Sequence, residues 1–170
     1  MIKSISTKVP YFILFTISCS DIEVKTLSSK VVIVQPIVIQ SDAGNKPAQM
    51  NLPKKLVDRA YSKADINFIY LEPLFFNDTK ARDGKINLDS IVSLAKRNNL
   101  LRGQNDIVNM FFVNAIDGNE GPTARGMMNG NLVFITLGNQ KNSNNEEAIS
   151  MQAFIVAHEI DHNLVLHLFR

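Results

Sequence analysis

The chain has 170 residues, 45% hydrophobic and 20% charged, which suits one domain with a single buried core. Its 18 Lys and Arg face 16 Asp and Glu, and the two surplus cations, Lys3 and Lys8, both lie in the first eighteen residues. With those two set aside the remainder is neutral, which argues against a nucleic-acid binder and its basic face.

Residues 1–18 read as a signal peptide: Lys3 and Lys8 give a positive start, and Val9 to Ser18 is an apolar run too short to span a bilayer as a helix. Cys19 follows, between Ser18 and Ser20, and is the only cysteine, so no intramolecular disulfide can form. The arrangement resembles a bacterial lipoprotein signal, with Thr16 standing where such signals usually carry leucine. That resemblance implies lipidation of Cys19 and an envelope location, lipid-anchored at the outer membrane or in the periplasm. An ordinary secretory signal and a cytosolic N-terminal strand are the other readings. Residues 19–30 then form a polar tether, and residues 31–170 the folded domain.

Val31 to Gln40 is β-branched and apolar, as in a buried strand, with Pro36 marking a break or an edge position. Asn51 before Pro53 signals the start of a helix running to Ala64. Ile66 to Leu71 is a second strand, and Asn77 to Lys85 a polar loop. Asn87 caps a helix through about Lys96, with Ile91, Leu94 and Ala95 on one face. Val108 to Ile116 is a third strand, followed by a polar loop, Asp117 to Pro122, and a short segment, Ala124 to Met128. Asn129-Gly130 is a two-residue hairpin signal leading into a strand at Asn131 to Leu137. The last helix runs from about Glu146 to the end. Alternating strands and helices predict an α/β fold: a mixed, mainly parallel twisted sheet with one antiparallel edge strand and packed helices.

The chemistry concentrates in the last helix, at His158-Glu159-Ile160-Asp161-His162. Residues four apart on a helix differ by about 40° around the axis, so both histidines can clamp one metal ion. Zinc takes imidazole nitrogens and, in catalytic sites, keeps a position for water. Glu159, beside the first ligand, can take the proton of a metal-bound water that then attacks an amide carbonyl. Ala153, Val156, Ala157, Ile160 and Leu164 make an apolar stripe to face the sheet, and the histidines fall away from it. Asp161 offers a spare oxygen ligand, a solvated carboxylate, or a carboxylate that orients an imidazole.

His158 to Leu166, reading HEIDHNLVL, resembles the metzincin zinc metallopeptidases, and among them the secreted bacterial reprolysin-like enzymes. The likeness covers roughly residues 31–168, the zincin-like N-terminal subdomain, and only the terminal motif is specific. It implies Zn²⁺ as cofactor, a peptide or protein as substrate, His158 and His162 as metal ligands, and Glu159 as catalytic base. It also implies that Arg125 to Met128 borders the cleft and pairs with an extended peptide, a form of strand addition. The sequence departs from the pattern in three ways. Val165 replaces the glycine that turns the chain out of the helix, Leu168 stands where the third histidine belongs with His167 one residue early, and all six methionines precede His162, so the methionine turn has no counterpart.

Two functional readings follow. The first is a zinc metalloendopeptidase, truncated and weakly active or inactive. The second is a non-catalytic envelope lipoprotein that binds a peptide or protein through its sheet edge. A nucleotide site is disfavoured because no glycine-rich loop links a strand to a helix, and Asp117 to Gly121 lacks the closing glutamate of a calcium loop.

Overall fold

The computed structural model describes residues 30–103, 107–121, 123–126, 131–137 and 146–168. The expected signal peptide, Cys19, most of the expected tether and the expected Asn129-Gly130 turn lie outside the described residues.

Six strands form one sheet: β1 (Lys30–Gln40), β2 (Ile66–Tyr70), β3 (Leu74–Asn77), β4 (Ile107–Phe112), β5 (Thr123–Gly126) and β6 (Leu132–Thr136). Their order is β2-β1-β4-β6-β5, with β3 also pairing with β1. All pairs are parallel except β5 with β6, so the mainly parallel sheet with one antiparallel edge strand is as expected. Four α-helices accompany it: α1 (Lys54–Tyr61), α2 (Thr79–Arg82), α3 (Leu88–Arg97) and α4 (Glu146–Leu168).

The sheet has a packed cluster on each face. Alternate residues of β1 divide between them, because successive strand side chains point to opposite sides. Val32, Val34 and Val38 join Val57 of α1 and Val156 and Ile160 of α4. Ile37 and Ile39 join Ala81 of α2 and Ile91 and Ala95 of α3. Every residue of β4 and of β6 is buried, as expected for central parallel strands covered on both faces.

Pro36 is not at an edge. It lies in a strand paired on both sides, and the break falls in its neighbour instead. Val34 aligns with Tyr70 and Ile37 with Leu74, so Leu71, Glu72 and Pro73 interrupt the second strand beside Pro36. Leu71 N donates to Val34 O (2.9 Å), so the backbone of residue 34, and of residue 36 two further on, faces this side. The donor that proline lacks is therefore absent where no ladder bond is made. The buried Gln35 amide closes the gap, donating to Pro36 O (3.0 Å) and Glu72 O (2.9 Å).

Other expectations need correction. Residues 74–77 form a strand, and one helical turn, α2, lies within the segment expected to be a polar loop. A single turn is too short to show periodicity, but it carries its own start signal: Asp78 accepts from Ala81 N at 2.8 Å. The expected cap Asn87 is present, accepting from Ser90 N at 2.8 Å. Asn51 does not cap α1, whose N-cap is Pro53; its amide instead donates to Gln152 Oε1 of α4 (3.0 Å). β4 ends at Phe112 rather than Ile116, because Asn114 N turns away to Arg82 O (2.7 Å). Gly84 permits this crossing. Its φ is +63°, and a Cβ there would stand 2.8 Å from Ala115 O.

Candidate metal centre

α4 is held along its buried stripe. Ala153, Val156 and Ile160 are buried as the sequence predicted, and Ala157 is half-buried. Two polar ties fix the helix against α1. Gln152, itself buried, receives the Asn51 amide, and the Tyr61 hydroxyl donates to Ala157 O at 2.6 Å. Burial, and then the Asp161 carboxylate, push the Tyr61 hydroxyl well above its ordinary pKa, so it stays protonated as this bond requires.

On the opposite side of the helix, His158 and His162 are exposed and Glu159 is half-buried. Among the described residues, these three offer ligand atoms that all lie within 4.8 Å of one another. The two Nε2 atoms are 3.1 Å apart and the rings cross at 78°. A tetrahedral zinc with bonds of about 2.0–2.1 Å sets two ligand nitrogens about 3.3–3.4 Å apart. The pair therefore stands within a few tenths of an ångström of zinc-ligand spacing. The same separation suits an N–H···N bond between neutral rings. The donor set, two imidazoles and a carboxylate, is one that divalent zinc accepts.

Glu159 points along the helix flank toward the sheet edge. Its Oε2 accepts the backbone N–H of Gly126, in β5. β5 ends the sheet order and shares Arg125 and Gly126 with the expected edge strand, whose Met127 and Met128 lie outside the described residues; Gly126 and Glu159 are thus in direct contact. Spacing alone does not reveal this bond, since the two residues lie 33 apart. Arg125, next in β5, is exposed and pairs with Asp117 at 2.6 Å. Asn119 Oδ1 accepts from Gly121 N at 2.9 Å, so the loop's side chains are engaged within the loop and with β5.

Asp161 is exposed and is not part of the ligand group; it acts on Tyr61 instead. The backbone stays helical to Leu168, with Val165 inside the helix. Position 167 is then half a turn from position 158 around the axis, while the side chains of 163–170 lie outside the described residues.

Phe154, one turn before His158, stacks on its ring with centroids 6.1 Å apart and planes at 16°. This neighbour of the site was missed because the aromatic falls on the solvent face, outside the apolar stripe. The i, i+4 spacing to His158 is the signal that finds it. Comparison of the chain with family models, with curated proteins and with solved structures finds no match.

Proposed function

We propose that the chain is a zinc-dependent peptide-bond hydrolase of metzincin type. The observation that supports it is the joint placement of His158, His162 and Glu159, with Glu159 on the backbone of the edge strand. When bound, zinc supplies Lewis acidity that lowers the pKa of water and polarises a carbonyl. His158 and His162, whose Nε2 atoms stand 3.1 Å apart, are the residues that would hold the ion. The Gly126 N–H donates to Glu159 Oε2 and orients the carboxylate, which is the group to take a proton from the attacking water and pass it to the leaving amine. The outer side of β5 offers main-chain groups to an extended peptide, so the scissile bond is presented beside Glu159.

Among the described residues two imidazoles stand together, and two such ligands hold zinc less firmly than three, so weak activity is part of the proposal. That property favours the second reading, a partner-binding module whose peptide adds to the same edge without being cut. Placement in the cell envelope through Cys19 is proposed from the sequence. No helix of the described residues is long and apolar enough to cross a membrane.

Zinc stoichiometry and casein cleavage, measured on the full chain and on Glu159→Ala, test the proposal. Expected are retention of zinc by both proteins and cleavage by the parent, falling at least about 100-fold in the variant. Zinc retention with no cleavage by either protein favours the binding module. Failure of His158→Ala to lower zinc retention removes the metal centre altogether.

A further inference from the structure

His158 and His162 supply two nitrogens, half of a tetrahedral zinc shell. They continue a stripe on the outer face of α4 that runs Met151, Phe154, His158, His162, at helical spacings of three and four. All four side chains are exposed, Met151 by 56% and Phe154 by 67%. None of these four residues is a carboxylate, lysine or arginine; Glu159 turns to Gly126 of β5, and the exposed Asp161 flanks the stripe.

We propose that this stripe is a homodimer face on which two copies of the chain share one zinc ion. Each copy gives His158 and His162, and Met151 and Phe154 pack around the ion. A two-fold axis through the metal brings the same patch of each copy together, the self-complementary geometry of isologous dimers. Four neutral imidazoles complete a tetrahedral shell. The phenyl ring stacked on His158 gives the face an exposed apolar surface beside the two imidazoles. The inference rests on the metal-binding part of the proposed function and assigns an occupant to the two positions that reading leaves open. With both taken by the second copy, the shared ion has no place for a reacting water. Hydrolysis then belongs to the monomer, and the dimer is a silent form.

The full chain, stripped of metal and titrated with zinc sulfate, is to be followed by native mass spectrometry and sedimentation velocity. Expected is one zinc per two chains with a doubling of mass, reversed by a chelator. His162→Ala is expected to lose both the zinc and the doubling. Phe154→Asp is expected to keep zinc but need about ten-fold more protein to dimerise. One zinc per chain without a change of mass overturns the shared site and leaves the metal centre standing. A chain that retains no zinc overturns both. A zinc-dependent dimer indifferent to Phe154→Asp overturns the assigned face.

Discussion

Arg82 and Asp83, neighbours in the chain, pin the turn after α2 to two distant segments. Arg82 Nε and Nη2 donate to the two Asp83 carboxylate oxygens at 2.7 and 3.0 Å, and Nη1 donates to Lys46 O at 3.0 Å. Asn114 Nδ2 donates to Asp83 at 3.2 Å. The Arg82 guanidinium holds the Asp83 carboxyl below the usual carboxylate range. A folded-state value below the unfolded one stabilises the fold above the ordinary carboxylate pKa, about 3.9, and that stability is lost as pH falls through the lower folded value. Asp83→Asn is therefore expected to lose less stability than the parent between pH 5 and pH 3, measured by urea unfolding. Equal losses would remove the pair from the acid response. None of this was visible beforehand: Arg82 and Asp83 stood in a segment expected to be a polar loop, and their partners are 36 and 31 residues away.

Among the elements, α1 and α4 owe their alignment to a contact that local rules misread. Asn51 sits where a helix cap is expected, yet its amide reaches Gln152, 101 residues on. Gln152 is only 4% exposed, so its carbonyl depends on that donor. Asn51→Ala is expected to cost about 1–3 kcal/mol, the range for leaving a buried acceptor without its partner. A change under about 0.5 kcal/mol in urea unfolding would show that water replaces the amide. The strands were more legible than this helix start, because a fully buried parallel strand leaves an unbroken apolar run, as in β4. The same run overshot, however. Ala115 and Ile116 are buried beyond the end of the strand, and burial outside the sheet looks identical to burial within it in one dimension.

For the molecule as a whole, the candidate metal centre and the core occupy opposite sides of α4. Ile160 is fully buried between the two histidines in sequence but on the opposite side of the helix, packed with Val156 and the sheet residues Val133 and Ile135. Ile160→Ala is expected to cost about 2–5 kcal/mol from lost burial and the cavity left behind. Zinc stoichiometry should persist while the variant stays folded, because the imidazoles do not touch the deleted atoms. Denaturant unfolding measures the first part and metal analysis the second; zinc loss from folded protein would show that the core sets the imidazole spacing.

The sequence by itself determined the α/β class, the strand-rich core and the facing of His158 and His162, since periods of two and 3.6 residues carry that information locally. Only the tertiary structure decided that Pro36 lies in a central strand, that Asn51 bonds α4, and that Glu159 meets the backbone of Gly126. Each of these joins residues far apart in the chain, and register between distant segments has no local periodicity to announce it. The His158-Glu159-His162 motif was therefore readable, but its contact with the edge strand was not.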